Sequence, residues 1–172
     1  PKYQSAAGGR KALFALDNLW DGIGGLIATD PTVKYLSGKV TIYSTSPEMS
    51  RKAMVYYLDM SFGDREGLIT SKNPETCTPE QAAFFKELFT GADYKENYAI
   101  LNNYVKSLGD SIPPFIHLYI GLSPTMKTFG TTFDPDFGDC YDTAMIITTD
   151  DIYPDKYKRY VESYEKCKVR KC

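Results

Sequence analysis

Breakers divide this sequence into short lengths. Thr29-Asp30-Pro31, Gly63-Asp64, Gly91, Ile112-Pro113-Pro114, Pro124, the loop over 134–139 and Pro154 all interrupt it. Glycine and proline are the strongest local stops a chain carries. The connections between the remaining segments are short. That suits antiparallel pairing rather than the long crossovers that parallel strands require.

The segments have distinct periods. Residues 10–27 place Leu13, Phe14, Leu16, Leu19, Trp20, Ile23 and Ile27 at helical spacing, which predicts an amphipathic helix. Gly22, Gly24 and Gly25 either end that helix or let it pack closely. Residues 33–45 are rich in strand formers, with Gly38 as a bulge or bend. Residues 52–62, KAMVYYLDMSF, alternate: Met54, Tyr56, Leu58, Met60 and Phe62 share one face, as in a strand. Gly63-Asp64 then reads as a turn, with a return strand at 67–71. Thr78-Pro79-Glu80-Gln81 is a helix start with a capping box, ahead of Phe85, Leu88 and Phe89. Residues 97–105 fit helix or strand and are read as strand. Phe115 to Leu122 reads as a buried strand, 126–132 and 141–149 as further strands, and Pro154 as the start of a last helix.

The sum predicts a mainly β protein with flanking helices. A closed or nearly closed antiparallel barrel comes first, and an open α+β sheet is the alternative. With 172 residues the chain is read as one domain. A run of about 18 apolar residues is missing, so no membrane span is expected. A net charge of −2 argues against a nucleic-acid partner. The four cysteines, Cys77, Cys140, Cys167 and Cys172, suggest two disulfides and a secreted protein. The start at Pro1 fits a removed signal or a trimmed chain. Three pairings are possible; Cys140 with Cys167 and Cys77 with Cys172 would pin the C-terminal segment to the body. Each would be worth roughly 3–5 kcal/mol in the chain-entropy picture.

Catalytic constellations are hard to find. His117 is the one imidazole and sits in an apolar run, as a core or pocket residue bonded to one neighbour. Facing a cavity, it could donate to a ligand oxygen or sense pH. Asp134, Asp136, Asp139 and Asp142 cluster, but the EF-hand pattern fails at Gly138 and Met145. A solvated turn explains them. Gly22-Ile23-Gly24-Gly25 is no phosphate loop. Lys168, Arg170 and Lys171 form a small basic end suited to the helix dipole. With no nucleophile–base pair or metal set, neither an enzyme nor a cofactor is expected.

Aromatic residues, at 14%, are the unusual number. A barrel of about eight strands has room for one small ligand. Ile42, Tyr56, Leu58, Met60, Phe62, His117, Tyr119 and Met145 are the candidate lining, the imidazole or a tyrosine hydroxyl orienting a polar end. The competing reading is a solid aromatic core.

The stretch MIITTDDIYPDKYKRYVESYEKC, from Met145 to Cys167, resembles the end of the tick salivary lipocalins: final strand, acidic turn and C-terminal helix. Cys172 resembles that family's disulfide-tethered end, and the helix over 10–27 is similar in placement. The resemblance implies a secreted barrel that sequesters a small hydrophobic ligand (a sterol, fatty acid or eicosanoid) to modulate host defence. The Trp-bearing motif of the family's amine binders is replaced here by Ala144-Met145-Ile146-Ile147, which ranks a biogenic amine behind a lipid. The alternative is a secreted immunomodulator or inhibitor that binds a host protein or cell surface through exposed aromatics near Phe133 and Phe137.

Overall fold

A computed structural model describes residues 10–164, with side chains from residue 19 onward. Leu13, Phe14 and Leu16 of the first helix, Cys167, Cys172 and the basic end at Lys168, Arg170 and Lys171 lie outside the described side chains. The elements are α1 (Arg10–Thr29), β1 (Tyr35–Tyr43), α2 (Glu48–Phe62), α3 (Pro79–Leu88), α4 (Tyr94–Ser107), α5 (Pro114–Ile120), β2 (Lys127–Asp134), β3 (Cys140–Thr148) and α6 (Pro154–Tyr157). The chain separates into two units, one from its two ends (Pro1–Tyr35 and Thr148–Cys172), the other Leu36–Ile147.

The expected barrel is not there. Among the described residues the strands form one open three-stranded antiparallel sheet in the order β1-β3-β2. This matches the open α+β alternative. Three strands cannot close on themselves, and the strands expected at 52–62, 97–105 and 115–122 are the helices α2, α4 and α5. The expected return strand at 67–71 has no regular structure.

In α2 the reason is a coincidence of periods. Met54, Leu58 and Phe62 stand four apart, so a strand's alternation and a helix's stripe share all three. The residues between them decide the matter. Ala53 and Tyr57 are fully buried, whereas Met60 is 36% exposed. Ser50, Ala53, Met54, Tyr57, Leu58 and Phe62 therefore form a helical face. In α4 the Asp93 carboxylate accepts from the backbone N–H groups of Lys95 and Glu96 (2.8 and 2.9 Å), an N-cap that starts a helix. Asn97, Leu101 and Val105 then line its buried side. In α5, Pro114 is the first helical residue, where its missing N–H costs nothing. Only Ile116 and Ile120 on this helix are fully turned inward.

Helix α3 begins as its sequence predicts. Gln81 N–H donates to Thr78 Oγ1 (3.2 Å), and Thr78 N–H donates to Gln81 Oε1 (3.0 Å). Between α2, α3 and α4 lies an aromatic cluster: Tyr56, Tyr57, Phe62, Phe85, Phe89, Tyr94, Tyr98 and Tyr104, with ring centroids 5.3 to 6.3 Å apart. Much of the aromatic excess is therefore solid core. Burial pushes the Tyr57 phenol well above its ordinary value, and its hydroxyl donates to the Tyr94 carbonyl (2.9 Å).

In the unit built from the chain ends, α1 packs on the C-terminal helix, which continues from α6 through a wider π-type turn over Lys158–Glu162. Trp20, Ile27 and Val161 are buried there. Gly24 lies inside α1 and makes the close approach possible: a Cβ on it would stand 2.0 Å from the Tyr160 carbonyl oxygen. A Cβ on Gly22 would meet nothing within 4 Å. The two glycines give opposite expectations in one helix. Gly22→Ala should stabilise by about 0.5–1 kcal/mol through helix propensity. Gly24→Ala should lose about 1–3 kcal/mol to overpacking. Thermal unfolding of the two variants reads the difference in sign.

Candidate functional site

Strand β2 carries an irregularity. Its register against β3 shifts between Thr128 and Thr131, and Gly130 within that bulge has φ of 80°, a left-handed value suited to glycine. Residues 63–77 run along the outer edge of β2. Asp64 N–H donates to the Thr128 carbonyl (2.9 Å), Glu75 N–H to the Thr131 carbonyl (2.7 Å) and Thr132 Oγ1 to the Asn73 carbonyl (2.9 Å). The Glu75 carboxylate, largely buried, receives Arg51 (3.4 Å) and Lys52 (2.8 Å) from α2. Those ion pairs tie the edge segment to the helix layer.

Two cavities flank the bulge, and Gly130 lines both. The first, of about 360 Å³, lies between α2, the segment 74–77, the start of α3 and the helix-facing side of β2 and β3. Val55, Tyr56, Leu58 and Ala82 line it with Thr128, Thr131 and Thr143. The threonine hydroxyls are satisfied within the wall. Thr131 and Thr143 share a hydrogen bond of 2.7 Å, and Thr128 Oγ1 donates to the Leu58 carbonyl (3.3 Å). What faces the space is mainly apolar, apart from Asp59 and Glu75 at its rim.

The second cavity, of about 460 Å³, lies over the opposite side of the sheet. Lys39 of β1, Asp142 and Ala144 of β3, Thr132 and Phe129 of β2, and Ile69, Ser71, Lys72 and Asn73 of the edge segment surround it. Asp142 is 7% exposed. One of its oxygens accepts from Thr41 (2.6 Å) and the other from Lys39. The bond to Asp142 holds the Lys39 ammonium above the usual lysine range. Lys39 also lies 4.2 Å from the centre of the Phe137 ring.

Of the side chains named for a ligand, Tyr56 and Leu58 line the first cavity. Ile42, Phe62 and Met145 are packed into the core. Met60 is on the exposed side of α2, and His117 is exposed on α5, its ring 5.7 Å from Tyr98. Tyr119 is half-buried with its hydroxyl against Gly38. Neither cavity includes these six. Cys77 and Cys140 are thiols, and the cysteines suggested for them lie outside the described residues. Burial pushes the Cys77 thiol up, so it is a poor nucleophile at neutral pH. Asp134 accepts from the N–H groups of Asp136 and Phe137 (both 3.2 Å), making the acidic loop a capped turn. Phe133 and Phe137 are exposed.

Comparison with known proteins finds relatives along nearly the whole chain. Two curated relatives carry the name glycine N(alpha)-acyltransferase. The protein of Phocaeicola vulgatus is 42% identical over 165 residues, covering 96% of this chain and 50% of the relative. That of Bacteroides thetaiotaomicron is 43% identical over 166 residues, covering 95% and 48%. The chain thus spans about half the length of these relatives. No protein-family model matches it, and no solved structure does.

These likenesses overturn the resemblance to tick salivary lipocalins, and with it the sequestering carrier and the host-directed immunomodulator. They also overturn the expectation that no enzyme is involved. That expectation rested on a missing nucleophile–base pair. Acylation of an amine needs no protein nucleophile, because the amine attacks the acyl carbon directly. Positioning and charge stabilisation can serve such a step, and neither leaves a short motif.

Proposed function

We propose that this chain takes part in the transfer of an acyl group to the α-amino nitrogen of glycine. The observation that carries the reading is identity of 42–43% to two glycine N(alpha)-acyltransferases along nearly the whole chain. The acyl donor must be activated, as in a thioester, because a free carboxylate does not acylate an amine at neutral pH. Glycine, an ammonium zwitterion in solution, gives one proton to water, and its neutral nitrogen attacks the thioester carbonyl carbon. A C–N bond forms, the C–S bond breaks, and the departing thiolate takes up the proton that the nitrogen loses.

The apolar cavity beside α2 suits the acyl chain, whose burial against Val55, Tyr56, Leu58 and Ala82 supplies about 25 cal/mol per Å². The reacting carbonyl then lies toward Gly130, the residue common to both cavities. Cys77, kept protonated, takes no acyl group in this scheme.

The test is thiol release from acyl thioesters by the purified protein. Release should rise with added glycine and respond far less to glycine methylated on nitrogen. Release that ignores glycine would contradict the reading.

A further inference from the structure

The second cavity has a charge pattern of its own. Two cations, Lys39 and Lys72, and one carboxylate, Asp142, face it. Lys72 makes no ion pair among the described residues. A carboxylate offers about four acceptor positions. Asp142 uses one on each oxygen, for Thr41 and Lys39. The Ser71 hydroxyl oxygen is buried with no hydrogen-bond partner among the described residues. An orphaned buried hydroxyl is costly unless something else engages it. Gly130 leaves the floor open, with only the Ser71 Cβ near the place a Cβ would take, at 3.9 Å.

We propose that this cavity seats a small α-amino acid as its zwitterion. The ammonium group sits on the unused acceptor positions of Asp142. The carboxylate lies between Lys39 and Lys72 and accepts from Ser71. One surplus cation for a ligand carboxylate and one nearly buried carboxylate for a ligand ammonium describe such a ligand better than a simple anion or amine. The identity of the occupant as glycine rests on the acyl-transfer reading above; the recognition chemistry does not. Lys39, Lys72, Ser71 and Asp142 are binding and positioning residues in this assignment.

The experiment is calorimetric or NMR titration of the purified protein with glycine, acetate and methylamine. Glycine should bind at least about tenfold more tightly than either half-molecule. Lys72→Met should weaken glycine at least about tenfold, the loss of one charge-assisted contact, and Asp142→Asn should do the same. Lys72 is exposed and makes no ion pair among the described residues, so its variant keeps the fold even if the Asp142 variant does not. Lys106→Met, on α4, should leave binding unchanged. Unaltered glycine affinity in Lys72→Met, or acetate binding as tightly as glycine, would overturn the assignment. If glycine binds through Lys72 and no acyl product forms, the acyl-transfer reading fails and this one stands. If acylation proceeds while Lys72→Met and Asp142→Asn leave the KM for glycine unmoved, the reverse holds.

Discussion

Replacing Phe85 by alanine should cost about 3–5 kcal/mol and take most of the folded state of the larger unit with it. Phe85 is fully buried, and its ring meets those of Tyr56, Phe84, Phe89 and Tyr104 at 5.4 to 6.3 Å. It locks α3 onto α2 and α4, so its removal leaves a void that three helices must close together. Phe84, its neighbour, is 43% exposed, and Phe84→Ala should cost about 1 kcal/mol. Urea unfolding of the pair measures the difference. Equal losses would mean that the aromatic cluster is loosely packed around open space, the arrangement a sequestering carrier would need.

The second large effect concerns acyl-chain length. Ala82 lies on α3 and lines the 360 Å³ cavity. Ala82→Phe would project a ring toward that space from α3. On the proposed acyl-transfer reading, each methylene kept out forfeits about 0.8 kcal/mol, so exclusion of four should lower kcat/KM for long-chain thioesters by roughly two orders of magnitude. An acetyl donor, which does not reach that far, should react as before. Equal loss with both donors would place the chain elsewhere.

The parts legible in the sequence are those with a local cause. Thr78 and Gln81 satisfy each other within four residues, so the start of α3 could be read directly. Gly38 inside β1 marked a special position, though its role is a close approach by Tyr119 rather than a bend. Pro79, Pro114 and Pro154 all begin helices. The one at Pro114 was obscured because Pro113-Pro114 also reads as a stop and the following residues are apolar all round. In α2 the shared period of Met54, Leu58 and Phe62 concealed the helix, and Asp93 as a cap was the overlooked sign for α4.

The site had weaker local signals still. Asp142 stood out only as one of several acids, and its partner Lys39 is 103 residues away. Strand pairing brings them together, and pairing leaves no trace in either neighbourhood. Gly130 within a strand was the available clue, since such a glycine often marks a bulge or a close approach. The proposed acyl transfer calls for no nucleophile motif, because the attacking atom would belong to the substrate.

The most direct measurement is mass spectrometry of the products formed from an acyl thioester and 15N-labelled glycine. The account predicts an N-acylglycine carrying the label in an amide that survives hydroxylamine. Free carboxylic acid alone, or an ester without the nitrogen label, would contradict it.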